Sequence, residues 1–242
     1  KGIAMDDPTD FLMTPVPTAM RPLLGLTVLA VEDSRFASEA LRLLCLRSGA
    51  RIRRADSLAS ARRHLGVYRP SVAIVDLGLP DGIGDALIAD LAQASVRVAV
   101  LLGSSGDPGG ETRAMAAGAD GFLAKPIADL AHFQDAILQH LPPDRRPCGL
   151  RVLPQDRVMP DRVAYHDDLA HVAAVLRGSA GAGAIDYVTQ FLGGLARSAD
   201  DGDLDSAVRA LAAQRQAGGS LKSGLARLNA LVQDRLATQA IL

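Results

Sequence analysis

Side chains able to bind a metal ion or a phosphoryl group follow several of the apolar runs in the first half of the chain. Glu32 and Asp33 come directly after the first run, and Asp76 comes after the third. Ser104 follows the fourth run, and Lys125 follows the fifth. If these runs are parallel strands of a doubly wound sheet, their carboxyl ends meet at one edge, where such sheets bind ligands. We therefore expect the five side chains to line one pocket.

Three carboxylates in one pocket repel one another unless they are protonated or hold a cation. Oxygen ligands of this kind suit Mg²⁺, which takes few carboxylates together with waters and phosphate oxygens. A carboxylate beside Mg²⁺ can attack a phosphoryl donor and become an aspartyl phosphate. The ammonium of Lys125 would balance the charge of the phosphoryl group, and Ser104 would donate a hydrogen bond to one of its oxygens. The residue types therefore predict phosphoryl transfer onto a carboxylate.

The elements that must position these side chains follow from hydrophobic periodicity. Five strand-length apolar runs alternate with segments of helical spacing between residues 25 and 141, which predicts an α/β fold with a doubly wound five-stranded parallel sheet. Beyond residue 160, four apolar stripes at helical spacing predict a small all-α helical bundle.

The intervening segments predict the domain boundaries. Residues 1–24 contain four prolines and no periodicity, and we interpret them as a flexible N-terminal arm. Residues 142–160 contain five prolines and several arginines, which is typical of a linker. The expected domains are therefore the sheet domain at 25–141 and the helical bundle at 161–242.

Three motifs in residues 25–141 resemble the receiver domain of two-component response regulators, which has a flavodoxin-like fold. They are Val28-Leu29-Ala30-Val31-Glu32-Asp33, Asp76-Leu77-Gly78-Leu79-Pro80 followed by Gly84, and Gly118-Ala119-Asp120-Gly121-Phe122-Leu123-Ala124-Lys125-Pro126. The resemblance implies that Asp76 is the phosphoacceptor and that Lys125 contacts the phosphoryl group.

The same resemblance implies a metal site and a switch. Glu32, Asp33 and Asp76 would hold Mg²⁺ together with the backbone carbonyl of Gly78, and Glu32 in place of the commoner aspartate is a tolerated variation in the family. Phe122 matches the aromatic position that changes rotamer on activation, although plain core packing explains an apolar residue there equally well.

One position departs from the family pattern. Counted back from Lys125, the switch serine or threonine of the family falls on Gly103, and Ser104 comes one residue later. Either a shift of one residue restores the hydroxyl at Ser104, or the hydroxyl is missing. A missing hydroxyl would weaken the conformational switch that follows phosphorylation more than it would weaken phosphorylation itself.

The helical half resembles a histidine phosphotransfer (HPt) domain more weakly. The motif Leu176-Arg177-Gly178-Ser179-Ala180-Gly181 carries the likeness, together with glycines that follow it. The phosphorylated histidine of that family corresponds here to Ala174, which has no nucleophile. His171, one turn earlier, is a candidate substitute, and we expect it to face solvent. The alternative is an unrelated helical dimerisation or docking module.

Composition excludes other classes. The net charge is -1, and no basic recognition helix stands out, so we expect no binding to nucleic acid. We expect no membrane association, because no apolar run approaches the length of a membrane span. Two cysteines form no disulfide framework, which fits a cytoplasmic location. We expect no enzymatic activity beyond the domain's own phosphorylation and dephosphorylation.

These observations lead to one main hypothesis and two alternatives. The chain is expected to be a response regulator of a two-component phosphorelay that signals through protein–protein contacts of its helical domain. Its expected partners are a sensor histidine kinase or a phosphotransfer protein, with a homodimer also possible. The alternatives are a phosphotransfer intermediate that uses His171 and a transcriptional regulator.

Overall fold

The structure is a computed structural model that describes residues 16–148, 155–178 and 182–238. A five-stranded sheet occupies the first half. Its strands are β1 (Thr27–Val31), β2 (Arg51–Ala55), β3 (Val72–Asp76), β6 (Val100–Ser105) and β7 (Gly121–Ala124). All neighbouring strands in the sheet are parallel, in the order β2-β1-β3-β6-β7, and a short hairpin of β4 (Gly78–Leu79) and β5 (Gly82–Ile83) follows β3. The predicted doubly wound five-stranded parallel sheet is confirmed.

Helices cover both faces of this sheet. They are α1 (Arg35–Ser48), α2 (Leu58–Val67), α3 (Gly84–Ala92), α4 (Gly110–Ala116) and α5 (Leu130–Leu138). Strand β1 shows why both faces are apolar: Val28 and Ala30 pack with α1 and α5, while Leu29 and Val31 pack with α2, α3 and α4. Side chains alternate along a strand, so a strand buried on both sides is apolar throughout. We call residues 27–138 the sheet domain.

The second half folds as the predicted bundle. Its helices are α6 (Arg162–Gly178), α7 (Ala182–Ser198), α8 (Gly202–Gln216) and α9 (Lys222–Thr238), and each packs against two of the others around one apolar core. Asp201 caps α8 by accepting a hydrogen bond from the Leu204 amide. The same carboxylate accepts from Tyr165 of α6 and pairs with Arg235 of α9, which fixes three helices together. We call residues 162–238 the bundle.

The segments at the predicted domain boundaries pack against the sheet domain. Leu23 falls in the predicted arm of residues 1–24, yet its side chain is fully buried in the sheet-domain core and its amide donates to the Ser48 carbonyl. Val158 falls in the predicted linker, yet it is buried in the same core and its amide donates to the Ala128 carbonyl. Both segments differ from the predicted arm and linker because each carries an apolar side chain that is buried in the sheet-domain core, although the surrounding sequence is rich in proline. Residues 1–15 and 149–154 lie outside the described residues.

The bundle packs on one edge of the sheet domain. Helices α6 and α7 contact α1, and α7 also contacts β4. This edge carries the carboxyl ends of the strands, so the two halves meet at the predicted pocket. In the described residues, no helix is long and apolar enough to cross a bilayer.

Candidate functional site

Three carboxylates converge at the carboxyl ends of β1 and β3. Glu32, Asp33 and Asp76 each offer one oxygen, and these oxygens lie within 4.8 Å of one another. Glu32 and Asp76 are buried, at 4% and 6% exposure, whereas Asp33 is half-buried. Gly84 allows the close approach that holds Asp76 in place, because a Cβ on Gly84 would lie 2.0 Å from the Asp76 carbonyl oxygen. Three convergent carboxylate oxygens form a donor set that fits Mg²⁺.

Lys125 provides the positive charge of the pocket. Its Nζ lies 2.7 Å from Glu32 Oε2 and 3.0 Å from Asp76 Oδ2, and its side chain is only 9% exposed. The backbone positions it, since the Lys125 amide donates to the Ser105 carbonyl and continues the pairing of β7 with β6. The ammonium therefore bridges the carboxylates contributed by the first and third strands.

Burial and mutual repulsion shift the protonation equilibria of this pocket. Burial, opposed by Lys125 and assisted by Asp76, raises the pKa of Glu32 to about 8. Burial and the charge of Asp76 raise the pKa of Asp33 to about 7. Burial alone would lower the pKa of Lys125, but Asp76 and Glu32 outweigh it and raise that pKa above its usual value. The cluster is short of positive charge, which is the condition that a divalent cation relieves.

The register of β6 places Ser104, and not Gly103, on the face of the sheet that carries Asp76. Ser104 pairs with Asp76 and Gly103 pairs with Val75, so the Ser104 and Asp76 side chains share a face of the sheet. Gly103 faces α4, where a Cβ would lie 2.5 Å from Ala114 Cβ. The Ser104 hydroxyl is buried and has no hydrogen-bond partner within the described parts of the chain. An unsatisfied buried hydroxyl beside Asp76 fits a group that accepts a hydrogen bond there.

Phe122 lies beneath α4. A Cβ on Gly110 would lie 3.0 Å from Phe122 Cζ, and one on Gly103 would lie 3.5 Å from Phe122 Cδ2, so glycines on two elements make room for the ring. Phe122 is half-buried against the core on this face. Its role as a switch stays a prediction.

Gly78 lines a cavity of about 30 Å³ together with Asp33, Asp76, Lys125 and side chains of α7. The absence of a side chain at Gly78 matters for that packing, because a Cβ there would lie 2.0 Å from Gln190 Nε2. The predicted role of its carbonyl as a metal ligand stays a prediction.

Two polar side chains of the bundle form hydrogen bonds with residues at the pocket rim. The Tyr187 hydroxyl donates to Asp33 Oδ2 at 2.9 Å. Asp168 accepts hydrogen bonds from Ser34 Oγ and from the Arg35 and Phe36 amides, at 2.7, 2.8 and 3.0 Å. Periodicity could not identify either residue, because each is a polar position beside an apolar stripe and its partner is more than 130 positions away.

Leu176, Arg177 and Gly178 of the weaker HPt-like motif lie on the same helix as Asp168, and Ser179, Ala180 and Gly181 lie outside the described residues. His171 is exposed, as predicted, and its Nε2 lies 3.3 Å from the Tyr187 hydroxyl oxygen. Ala174, Arg177 and Gly178 are exposed and Leu176 is half-buried. His171 is therefore adjacent to the acidic pocket, and the HPt-like relationship stays a prediction.

Comparisons with known proteins relate this chain to response regulators. Residues 28–137 match the family model described as "Response regulator receiver domain". The KDP operon transcriptional regulatory protein KdpE of Escherichia coli (strain K12) is 35% identical over 100 residues, which cover 41% of this chain and 44% of KdpE. The virulence transcriptional regulatory protein PhoP of Salmonella typhimurium (strain LT2) is 30% identical over 124 residues, or 51% of this chain and 54% of PhoP.

A solved structure of a putative response regulator from Chloroflexus aurantiacus J-10-fl is 28% identical, with a TM-score of 0.43, and covers 47% of this chain and 98% of that chain. The chain spans about half the length of the curated relatives that it matches. The match to the family model falls on the segment that carries the acidic pocket. The chain therefore contains a response regulator receiver domain, at residues 28–137.

Proposed function

We propose that this chain is a response regulator that accepts a phosphoryl group on Asp76 and signals through protein–protein contacts of its bundle. The observation that carries the proposal is the convergence of Glu32, Asp33 and Asp76 around the Lys125 ammonium. The expected donor is a sensor histidine kinase or a phosphotransfer protein, and we place the chain in the cytoplasm.

The residues divide the chemistry among them. A carboxylate oxygen of Asp76 attacks the donor phosphorus, the bond from phosphorus to the donor breaks, and its electron pair leaves with the donor. Lys125 balances the charge of the acyl phosphate, and Ser104, whose hydroxyl has no hydrogen-bond partner among the described residues, donates to a phosphoryl oxygen. Glu32, Asp33 and Asp76, with the Gly78 carbonyl, would hold Mg²⁺, which supplies charge neutralisation during the transfer. We expect no catalysis beyond this phosphorylation and its reversal.

Intact mass spectrometry tests this proposal. The full chain is incubated with acetyl phosphate and Mg²⁺, with a chelated sample and Asp76→Asn as controls. One added phosphoryl group on the parent, and none on either control, is expected. Equal labelling of the parent and Asp76→Asn would contradict the assignment.

A second candidate function rests on His171. Its ring lies beside Tyr187, which bonds Asp33, so an exposed nucleophile is adjacent to the pocket. A phosphotransfer intermediate would carry an acid-labile, base-stable phosphoryl group that His171→Gln abolishes. Labelling confined to Asp76 would exclude this function.

The related proteins KdpE and PhoP are named as transcriptional regulators, but the similar segments span only 100 and 124 residues, about half of each protein. Our expectation that the bundle binds no nucleic acid is open to test by DNA affinity at low salt, where electrostatic binding is strongest. A measurable, salt-dependent affinity would favour a transcriptional output instead.

A further inference from the structure

The bundle closes over the receiver pocket through an anchor at the start of α1. Asp168 is only 2% exposed and accepts three hydrogen bonds from Ser34, Arg35 and Phe36. Amides in the first turn of a helix have no partner within the helix, so a carboxylate there is stabilised by hydrogen bonds and by the helix dipole. The Arg35 and Phe36 amides lie two and three residues after Asp33 of the acidic pair, which places the anchor at the pocket.

An apolar contact reinforces this anchor. Phe36 projects from α1 into the core of the bundle, where its ring lies 5.9 Å from the Tyr165 ring in an edge-on arrangement. Phe36 is 7% exposed, so the interface buries most of a large apolar side chain that would otherwise lie on the surface of the receiver. The docked arrangement therefore has both a polar anchor and an apolar one.

One face of α7 lies across the pocket. Tyr187, Gln190, Phe191, Gly194 and Arg197 recur at the spacing of a single helix face. Four of them line the cavity that contains Asp76 and Lys125, and the fifth, Tyr187, bonds Asp33. The cavity between α7 and Asp76 has a volume of about 30 Å³. That volume holds about one or two waters, and a phosphodonor is far larger.

The hydrogen bond from Tyr187 engages one of the carboxylates of the candidate metal site. A phenol that donates to Asp33 Oδ2 competes with a cation for the same carboxylate. A separate groove of about 1070 Å³ also reaches Glu32 and Asp33, so a small ion has a route to the carboxylates while α7 is docked. Asp76 lines the small cavity but does not line this groove.

We propose that the bundle is an intramolecular cover of the phosphorylation site, and that loading this site with Mg²⁺ and a phosphoryl group releases the cover. The inference rests on the proposed function and adds its regulation: α6 and α7 occupy the rim that a phosphodonor must reach. The released bundle then exposes the face of α7 and the Phe36 side chain together. A ligand shifts the equilibrium between the docked and the released bundle only if it binds one of these states more tightly than the other.

Hydrogen–deuterium exchange of the full chain tests the proposal directly. The Arg35 and Phe36 amides report on docking, because both donate to Asp168 across the interface. Mg²⁺ with beryllium fluoride, a mimic of the phosphoryl group, is expected to raise their exchange rates about 10-fold or more by opening the interface. The control is Asp76→Asn, in which the mimic should have no effect. Unchanged exchange of these amides in the parent would overturn the proposal. Slower exchange would also overturn it, because it would mean that Arg197 holds the bundle more tightly on the loaded site.

Substitution at the anchor provides a second test. Asp168→Ala removes the carboxylate and is expected to raise the same exchange rates without ligand and to speed labelling by acetyl phosphate about 5-fold or more. Asp167→Ala is the matched control, because within the described residues Asp167 forms an exposed ion pair with Arg35 and takes no part in the buried anchor. If Asp168→Ala opens the interface but is labelled no faster than the parent, the proposal that the bundle covers the phosphorylation site is wrong, and the proposed function stands.

A milder variant guards against misfolding of Asp168→Ala. Tyr187→Phe keeps the ring but removes the hydroxyl that competes for Asp33, so the Kd for Mg²⁺ should fall about 3- to 10-fold. Tyr68→Phe is the control, since Tyr68 follows α2 in the sheet domain and its hydroxyl has no hydrogen-bond partner in the described chain. An unchanged Kd in Tyr187→Phe would overturn the competition. If neither the parent nor the variants label at Asp76, the proposed function fails, and the exchange and Mg²⁺ measurements still decide the cover.

Discussion

The Tyr187 hydroxyl donates a 2.9 Å hydrogen bond to Asp33 Oδ2, and this bond joins residues that are 154 positions apart in the chain. It links α7 of the bundle to a carboxylate of the receiver pocket. Burial, followed by the charge of Asp33 and this hydrogen bond, raises the pKa of Tyr187 above its usual value, so the phenol keeps its proton and remains a donor. Any change in the charge or occupancy of Asp33 therefore acts on the contact between the two halves.

Metal-free stability is expected to fall as pH rises. Glu32 and Asp33 have folded-state pKa values of about 8 and about 7, above their values in an unfolded chain, because burial disfavours their charged forms. The folded state therefore binds more protons than the unfolded state between about pH 4 and pH 8, and the free energy of unfolding declines across that window.

Thermal unfolding between pH 5.5 and pH 8.5, with and without Mg²⁺, measures this effect. Mg²⁺ requires the deprotonated carboxylates, so it should recover stability at the upper end of the range and do little at the lower end. Glu32→Gln should flatten the metal-free dependence. A metal-free Tm that rises with pH, or a Mg²⁺ effect that is largest at low pH, would be inconsistent with the raised pKa values.

Removal of the Lys125 ammonium should destabilise the metal-free protein strongly. Lys125→Gln leaves the carboxylates of Glu32 and Asp76 without their partner, and loss of one member of a buried ion pair costs about 3–5 kcal/mol. The pocket becomes more negative, so Mg²⁺ should bind more tightly and restore much of the loss.

Denaturant unfolding at pH 8.5 with and without Mg²⁺ gives both quantities. Lys222→Gln, at an exposed position at the start of α9, is the matched control and should change little. Similar losses in the two variants would show that Lys125 contributes no more than a surface lysine.

A side chain at Gly84 should distort the pocket. Gly84→Ala would place a Cβ 2.0 Å from the Asp76 carbonyl oxygen, and backbone at that distance must move, at a cost of about 1–3 kcal/mol. Gly66→Ala is the matched control: Gly66 lies in α2, where the added Cβ would meet nothing within 4 Å in the described chain beyond its own helix turn, and alanine should stabilise the helix by about 0.5–1 kcal/mol.

Equilibrium unfolding of the two variants, together with the Mg²⁺ affinity of each, separates the effects. We expect a weaker Mg²⁺ site only in Gly84→Ala, since only that substitution displaces Asp76. An intact Mg²⁺ site in Gly84→Ala would mean that the close approach has no part in positioning the carboxylate.

The two serines that end β6 should behave in opposite ways. Ser104→Ala removes a buried hydroxyl with no hydrogen-bond partner in the described residues, so stability should be unchanged or slightly higher. Phosphorylation of Asp76 should slow, or the phosphoryl group should be lost at a different rate, because Ser104 shares a face with Asp76. Ser105→Ala removes the acceptor for the Asp107 amide and should cost about 1 kcal/mol.

Time courses of labelling and decay for both variants, alongside thermal unfolding, test this distinction. Ser105 lines the cavity that contains Asp76, so Ser105→Ala is expected to change labelling and decay less than Ser104→Ala does. The assignment of Ser104 would be wrong if only Ser105→Ala altered the kinetics of the phosphoryl group.

The sheet and its polar rim could be predicted because both depend on local patterns. Apolar runs of strand length alternate with helical spacing, and the ends of parallel strands converge whatever the intervening sequence is. Glu32 and Lys125 each follow a strand directly and Asp76 is the last residue of β3, so their convergence needs no knowledge of side-chain packing. Counting along the chain could not choose between Gly103 and Ser104, because the choice depends on the strand register.

The contact between the two halves could not be predicted in this way. Phe36 fits the apolar stripe of α1, yet it packs in the bundle rather than against the sheet. Asp168 is a polar residue beside the buried Leu169, and only the position of the facing α1 amides explains its burial. Periodicity identifies an apolar face but not the surface that covers it.

The central claim, that Asp76 accepts the phosphoryl group, is tested most directly by locating the modification. The chain is labelled with acetyl phosphate and Mg²⁺, reduced with borohydride, which converts an aspartyl phosphate to homoserine, and mapped by peptide mass spectrometry. We predict homoserine at position 76 in the parent and none in an unlabelled sample. Homoserine at another aspartate with position 76 unmodified, or a labelled chain with no homoserine, would contradict the claim.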